Sequence, residues 1–302
     1  MSNRFPIFEV PSDAAEAIEV MGTKPKFWFD HSQFGKCLFK QARSNTGEDW
    51  SEKIAAELAQ LLKLPCARQE LAIYKGNPGT ISPIMLPADS SLIHGNDILS
   101  GMVSNYPRSE RYNVSEHTLA TVLQAISQPS LNCPLNWNPP DGINTALDTF
   151  VGYLLLDAWI GNTDRHHENW GFVKTVEKKT HLAPTYDHAS CLGRELLDTA
   201  REKRLQNSSV AAYTNKARSA LFTQSGDNNP LLTVDAFAQS TQRAPQAASV
   251  WLQNLDSIAS ATIEELLSRI PKNRISPKAI AFALRVLDIN KSKLLCLQEI
   301  LS

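Results

Sequence analysis

The stretch from Ile160 to Asp187, IGNTDRHHENWGFVKTVEKKTHLAPTYD, constrains the fold of this chain more than any other. An apolar segment ends where Gly and Asn interrupt it, and a polar cluster follows. A short β-hairpin is then predicted, with strands Gly171–Val176 and His181–Tyr186 around a turn. Because a hairpin returns the chain to the edge from which it started, Asp187 is expected near Asn169. The sequence therefore predicts a cluster of polar side chains at the open end of a hairpin.

Asp164, Asn169 and Asp187 would supply oxygen atoms to this cluster, and Mg²⁺ prefers oxygen ligands. Phosphoryl transfer needs a carboxylate to orient the hydroxyl, ligands for magnesium on the phosphates, and a lysine to neutralise them. The D-x-x-x-x-N spacing alone is a weak pattern, and the alternative reading is that Asp187 caps a turn. The adjacent His166 and His167 do not predict a zinc site, because neighbouring side chains on a non-helical loop point apart.

The motif D-R-H-x-x-N at Asp164–Asn169 resembles the catalytic loop of phosphatidylinositol kinases and of bacterial HipA-like serine/threonine kinases. The preceding I-G-N-T-D and the later L-A-P-x-Y-D, Leu182–Asp187, resemble the HipA group specifically. The resemblance implies that Asp164 is the catalytic base and that Asn169 and Asp187 are magnesium ligands. It also implies nucleotide contacts for two further motif residues, His166 and Tyr186. His-Ala follows Asp187, where most protein kinases have Phe-Gly.

The residue pattern predicts a small α+β lobe followed by a larger, mainly helical lobe, and the resemblance implies a two-lobed, protein-kinase-like α+β fold. We expect residues 1–86 to form the β-rich N-lobe with one helix, and residues 87–302 the helical C-lobe with the catalytic loop. Strands are predicted at Phe5–Val10, Lys26–Asp30, Lys36–Gln41, Arg68–Tyr74 and Ile81–Leu86, with a turn at Lys75–Thr80. Helices are predicted at Gly47–Pro65, Glu116–Ile126, Ala146–Ile160, Ala247–Ile258, Thr262–Ile270 and Pro277–Leu287.

Lys40 is the candidate for the phosphate-pairing lysine, because it ends the apolar strand K-C-L-F-K as that lysine ends its strand in kinases. Lys36 is a nearby competitor. The following helix carries several acids, and the resemblance favours Glu52 as the partner of Lys40. Spacing alone does not decide between Glu52 and Glu57. We therefore expect Asp164, Lys40 and Glu52 to be the catalytic residues.

The nucleotide's phosphates need a loop, yet the chain has neither G-x-G-x-x-G nor a P-loop motif. The candidate is Met21–Lys26, MGTKPK, which lies where HipA-like proteins place a short phosphate-facing loop. Its glycine permits close backbone approach and its lysines supply charge. At the expected lobe junction, a short apolar run offers backbone groups and apolar surface to adenine. The candidate nucleotide-binding residues in these two places are Gly22, Thr23, Lys24 and Lys26, and Ile84, Met85 and Leu86.

The composition narrows the classes of partner that we expect this chain to bind. Lys+Arg number 30 and Asp+Glu 31, so the net charge of -1 gives no global reason to expect direct nucleic-acid binding. The apolar stretch Phe150–Ile160 contains Asp157 and is far shorter than the ~20 residues of a membrane span. With no secretory signal and five cysteines without a CxxC motif, we expect a cytoplasmic protein without a membrane span. A basic segment follows Asp187 and is interpreted either as a solvated face or as a contact for a protein substrate: Arg194, Arg201, Lys203, Arg204, Lys216 and Arg218.

The HipA resemblance further implies ATP and Mg²⁺ as cofactors, a protein substrate and autophosphorylation. In HipA systems the kinase is a toxin that phosphorylates an aminoacyl-tRNA synthetase and is restrained by an antitoxin protein. We expect this shorter chain to lack the additional N-terminal subdomain of HipA proper. Three alternatives stay open: a lipid or small-molecule kinase with the same loop, a metal-dependent phosphohydrolase, and a catalytically inactive binding module. The phosphohydrolase would not need Lys40.

Overall fold

The computed structural model describes residues 4–14, 17–18 and 25–297, with residues 17–18 described by their backbone alone. In these residues the strands are β1 Ile7–Val10, β2 Ala17–Ile18, β3 Lys26–His31, β4 Gly35–Gln41, β5 Glu70–Tyr74, β6 Asn77–Pro83, β7 Ser91–His94, β8 Leu131–Asn132, β9 Gly171–Lys174 and β10 Thr180–Leu182. The helices are α1 Glu48–Leu61, α2 Gly95–Ser100, α3 Leu119–Ile126, α4 Ala146–Ile160, α5 Asp198–Gln206, α6 Val210–Thr214, α7 Thr233–Thr241, α8 Pro245–Ser257, α9 Ser260–Ser268 and α10 Pro277–Cys296.

The first part of the chain forms a six-stranded sheet in the order β1-β5-β6-β4-β3-β2. The predicted hairpin of β3 and β4 is confirmed, and Lys26 stands opposite Lys40 in its register. Because strand side chains alternate between faces, Cys37 and Phe39 join a small buried aromatic cluster on one face. Lys40 therefore points to the other face of the sheet.

The turn between β5 and β6 is shorter than the predicted Lys75–Thr80. Tyr74 pairs with Asn77, so only Lys75 and Gly76 lie between the strands. Both have positive φ, 48° and 78°, which is the geometry of a tight two-residue hairpin turn. The strand predicted from Ile81 thus begins at Asn77 and ends at Pro83, and the expected lobe boundary after residue 86 falls between β6 and β7.

Helix α1 is buried along most of its length and docks on the segment that follows β10. The hydroxyl of Ser51 donates to the carbonyl of Ala189 at 2.8 Å, and the amide of Gly47 donates to the carbonyl of Arg194 at 2.8 Å. Beyond the helix, the amide of Ala67 donates to the carbonyl of Thr185 at 2.9 Å. These contacts fix α1 relative to the segment around Asp187.

The predicted hairpin is present as β9 and β10, but both strands end earlier than predicted, at Lys174 and Leu182 instead of Val176 and Tyr186. The hairpin forms part of a four-stranded sheet in the order β7-β9-β10-β8. The two added strands have four and two residues, too few for an alternating pattern to reveal them in the sequence. Helix α4 has the predicted limits and begins with a capping box between Thr145 and Asp148. It is buried almost all round and forms the centre of the larger apolar core. Among the described residues, no helix has both the length and the apolar character needed to span a bilayer.

Candidate active site

The polar loop that follows α4 is anchored to the helix by an aspartate of its last turn. The helix ends at Gly161, whose φ of 67° is the left-handed conformation that favours glycine at a helix end. The amide of Asn162 then donates to the carbonyl of Asp157, and its side-chain Nδ2 donates to Asp157 Oδ1, both at 2.8 Å. The loop therefore begins in a defined orientation.

Arg165 completes this anchor from the centre of the loop. Its Nε and one Nη donate to the two carboxylate oxygens of Asp157 at 2.7 and 2.8 Å. The other donors reach the carbonyl of Asn169 at 2.7 Å and the hydroxyl of Thr185 at 3.0 Å. Arg165 is 0% exposed and Asp157 2% exposed, so this is a fully buried ion pair. One guanidinium thus holds together the helix, the loop and the segment after β10.

Asn169 is oriented by the same loop. Its Nδ2 donates to the carbonyl of Asp164 at 2.7 Å. Because a carbonyl oxygen only accepts, the atom of Asn169 that faces it must be the amide nitrogen. The side-chain oxygen, Oδ1, therefore points elsewhere and is the atom that can serve as a cation ligand.

Asp164 lies beside His166, with 3.7 Å between its Oδ1 and Nε2 of the imidazole. That imidazole is neutral, because burial and the nearby Arg111 lower the pKa of His166 to about 3. Nε of Arg111 lies 3.1 Å from Nε2 of His166. The backbone N–H of Glu168 faces the other ring nitrogen, Nδ1, at 3.2 Å. Because a neutral imidazole has one acceptor nitrogen, only one of these two contacts is a hydrogen bond.

Lys40 and Asp187 bring the two sheets together at the site. Nζ of Lys40 lies 3.0 Å from Oδ2 of Asp187. Burial disfavours both charges, but the attraction between them is stronger: the pKa of Asp187 lies below its ordinary value and that of Lys40 above it. Asp187 adopts a φ of 60°, in the left-handed region that residues other than glycine seldom occupy. The lysine and the aspartate are thus both charged at neutral pH.

Glu52 lies on α1 at the same place. Its Oε1 accepts the backbone N–H of His188 at 2.9 Å, directly after Asp187. Burial, and next the charge of Asp187, raise the pKa of Glu52 to about 7. Glu57 instead pairs with Lys53 at 2.7 Å. Of the two candidate partners for Lys40, the structure places Glu52 beside Asp187 and Glu57 in a separate pair, while Lys40 itself bonds to Asp187.

The candidate nucleotide contacts differ in how far they can be located. Gly22, Thr23 and Lys24 lie outside the described residues, whereas Lys26 begins β3. The run Ile84, Met85 and Leu86 follows β6, where Ile84 is 45% exposed and its amide is bonded to the carbonyl of Lys36 at 2.9 Å. The hydroxyl of Tyr186 donates to the carbonyl of Glu168 at 2.9 Å, which joins the two ends of the hairpin.

Sequence comparison gives the family to which this architecture belongs. A family model described as the HipA-like C-terminal domain matches residues 18–272. The chain belongs to this family. The HipA-like assignment made from the loop motifs is therefore confirmed.

One relative and two solved structures are similar to this HipA-like domain. Serine/threonine-protein kinase CtkA of Helicobacter pylori (strain J99 / ATCC 700824) is 37% identical over 59 residues, which is 19% of this chain and only 18% of that protein. The crystal structure of the Helicobacter pylori proinflammatory kinase CtkA aligns with a TM-score of 0.73 and 19% identity, covering 98% of both chains. HipA of Shewanella oneidensis MR-1, solved with HipB and operator DNA, aligns with a TM-score of 0.58 and 14% identity, covering 96% of this chain and 67% of that one. These alignments confirm the predicted two-lobed, kinase-like α+β fold.

Arg111 of this HipA-like domain was not anticipated from the sequence. It precedes α3, in a loop without a motif, more than 50 residues before Asp164. Its Nε also lies 3.5 Å from Oε2 of Glu168. Its charge acts on both Lys40 and Asp187. Only the folded chain brings this guanidinium to the site, so no local pattern could have revealed it.

The basic segment after Asp187 serves the fold in part. Arg194 pairs with Glu48 at 2.5 Å, and Arg201 pairs with Asp198 at 2.9 Å. Arg218, by contrast, is exposed and donates to the carbonyl of Pro230 at 2.6 Å. The segment is therefore neither a uniform solvated face nor a uniform substrate contact.

Proposed function

We propose that this chain is an ATP- and Mg²⁺-dependent serine/threonine protein kinase. The observation that carries the proposal is the ion pair between Lys40 of the six-stranded sheet and Asp187 after β10. This pair sets a cation beside an ionised carboxylate, with Asp164 and Asn169 on the adjoining loop, and that supports a site for phosphates and a metal. Such a set supplies what phosphoryl transfer requires of a protein. The kinase activity indicated by the name of the CtkA relative supports the same conclusion.

The donor set fits a magnesium ion. Mg²⁺ is usually held by one or two carboxylates together with substrate phosphates and water, rather than by an all-protein cage. Asp187 is an ionised carboxylate and Asn169 has its side-chain oxygen available. Within residues 4–14 and 25–297, no group of three or more His, Cys, Asp or Glu side chains is arranged around a common metal position. We propose Asn169 and Asp187 as the two protein ligands.

In the proposed mechanism, bound magnesium would neutralise charge on the nucleotide phosphates. Lys40 would move away from Asp187 far enough to contact those phosphates. Glu52 would hold α1 and the segment after Asp187 in place. Asp164 would orient the incoming serine or threonine hydroxyl and accept its proton. The hydrogen bond from Asn169 to the carbonyl of Asp164 would keep the base and the metal ligand in a fixed relation.

The test is transfer of radiolabelled phosphate from ATP to a serine- and threonine-containing peptide library. Asp187→Asn and Lys40→Met should each reduce transfer to background. Asp164→Asn should reduce it by about 10²–10⁴-fold, the usual contribution of a general base. Asp288→Asn, an exposed aspartate of α10, is the matched control and should leave transfer unchanged. Full transfer by purified, folded Asp187→Asn would refute the proposal.

The same assay separates the alternative functions by product. A lipid or small-molecule kinase would label those compounds rather than peptides. A phosphohydrolase would release inorganic phosphate and retain that activity in Lys40→Met. An inactive binding module would form no product.

Four further roles remain predictions that rest on family resemblance: the toxin role, an aminoacyl-tRNA synthetase as substrate, an antitoxin partner and autophosphorylation. The HipB chain in the Shewanella oneidensis HipA structure supports an antitoxin as the class of partner to look for. Intact-mass measurement after incubation with magnesium-ATP tests autophosphorylation, and an unchanged mass would remove that prediction. The cytoplasmic location likewise remains a prediction.

A further inference from the structure

A pocket of about 230 Å³ lies directly beside Asp164. Residues from three chain segments, 111–117, 163–167 and 218–222, line it together with Pro230. Ligand sites for whole small molecules usually enclose about 300–1,000 Å³. The pocket is therefore suited to a side chain of a larger molecule, and whatever fills it is brought next to the proposed base.

The walls of the pocket are fixed by backbone contacts. The amide of Phe222 donates to the carbonyl of His117 at 3.0 Å, and the amide of Leu119 returns a bond to the carbonyl of Phe222 at 2.9 Å. The indole N–H of Trp170 donates to Nε2 of His117 at 3.0 Å. The proton of His117 must therefore lie on Nδ1, which donates to the carbonyl of Ala220 at 2.8 Å. The 218–222 wall is thereby tied to α3 and to the catalytic loop.

The charges that line the pocket are predominantly positive. Two arginines, Arg111 and Arg218, and one aspartate, Asp164, are among the residues that line it. Near Arg111, Glu168 offsets part of the charge. Among the described residues, Arg218 has no acidic partner within ion-pair distance, and the carbonyl of Pro230 holds its guanidinium in place.

We propose that this pocket selects acceptor sites with an acidic side chain close to the phosphorylated serine or threonine, and that Arg218 is the residue that recognises it. The inference rests on the proposed kinase function and names the substrate class of the same site. An acidic side chain in the pocket is attracted by Arg218 and Arg111. Because the pocket adjoins Asp164, the acceptor hydroxyl can reach Asp164 only if it lies close to that acidic side chain in the substrate sequence. A basic side chain there meets two like charges.

The experiment compares peptides of one sequence around a single serine, in which each flanking position in turn is Asp, Gln or Arg. At one or more positions, wild-type protein should prefer the Asp peptide over the Arg peptide by about tenfold in kcat/KM, a difference of about 1.4 kcal/mol. Arg218→Glu should reverse that order, measured as the ratio of kcat/KM between the Asp and Arg peptides within the variant. Arg285→Glu, an exposed arginine of α10, is the matched control and should keep the wild-type order.

The outcomes separate this inference from the proposed function. Equal use of all peptides by the wild-type protein, or an unchanged order in Arg218→Glu, overturns the inference and leaves the kinase function standing. Absence of phosphate transfer to any peptide overturns both. If Arg218→Glu does not fold, Arg218→Gln decides: a ratio of kcat/KM for the Asp and Arg peptides close to one supports the inference, and a retained preference overturns it.

Discussion

Removing the guanidinium of Arg165 tests whether the buried ion pair holds the loop at residues 161–169 on α4. In Arg165→Met, the carboxylate of Asp157 keeps its bond from Asn162 but loses its buried cation. Removal of one partner of a buried pair costs about 3–5 kcal/mol, because the remaining charge is left uncompensated. That cost is large against a total unfolding free energy of about 5–15 kcal/mol. We expect urea unfolding, followed by circular dichroism and tryptophan fluorescence, to show this loss.

A double-mutant cycle identifies the charge as the cause. Asp157→Asn keeps the volume of the side chain and its contact with Asn162, so Arg165→Met combined with Asp157→Asn removes both charges at once. The double variant should lose about 2–3 kcal/mol less than the sum of the single variants. The exposed pair of Arg285 and Asp288 gives the control, since Arg285→Met should change stability by less than about 0.5 kcal/mol. Additive single effects, or a loss below about 1 kcal/mol for Arg165→Met, would show that the pair does not anchor the loop.

Three further predictions concern pH and backbone geometry. Acidification from pH 6.5 to 5 should lower the free energy of unfolding, because histidines of the unfolded chain bind protons that the buried imidazoles do not. The buried histidines with lowered pKa values are His117, His166, His167 and His188. A constant urea midpoint over this pH range would contradict the prediction. The raised pKa of Glu52 affects stability in the opposite direction, because the folded chain binds this proton between about pH 7 and 4.5 and the unfolded chain does not. Glu52→Gln should therefore make the free energy of unfolding fall more steeply on acidification. An unchanged dependence on pH would count against the raised pKa. Gly193→Ala should destabilise the fold by about 2 kcal/mol or more, because φ is 72° and a Cβ would lie 2.5 Å from the ring of Phe282. Gly76→Ala is the control: φ is 78° but the surrounding space is open, so it should cost only the backbone strain of about 1–2 kcal/mol. Equal losses of stability for the two variants in a urea titration would contradict the steric argument.

Strong local patterns predicted most of the elements that position the site. The apolar run of α4 predicted both of its ends, and alternation with turn residues predicted β3, β4, β9 and β10. Elements with short or polar sequences were missed. Strand β8 has only two residues. Helix α5 has the sequence DTAREKRLQ with little apolar periodicity, so the helical state of α5 depends on packing against α10 rather than on a pattern of its own.

For the candidate site, the sequence predicted the residues that lie within motifs and missed those contributed by distant loops. Lys40, Glu52 and Asp187 were placed together by strand position and motif, and they do lie together in the fold. Arg111 belongs to a loop without periodicity or motif. Arg218 was named only as one of six residues of a basic segment, and the pattern did not indicate which of them lies beside Asp164. The approach of both to Asp164 depends on long-range contacts through His117. Such contacts leave no mark in the nearby sequence, so physical chemistry applied to local patterns could not have found them.

Asp157 shows how the core and the site depend on each other. In the sequence it was evidence only that the apolar segment is no membrane span. In the structure it is the one charged residue in the buried part of α4, and it bonds to Arg165 and Asn162 of the loop. A helix buried on all sides cannot orient a polar loop through apolar contacts, because these have no direction. A charge-assisted, two-point bond does have direction, and the rigid core around α4 transmits that direction to Asp164 and Asn169. The cost of burying a carboxylate in the core is thus tied to the geometry of the proposed reaction, which is why stability and phosphate transfer should be lost together when the pair is broken.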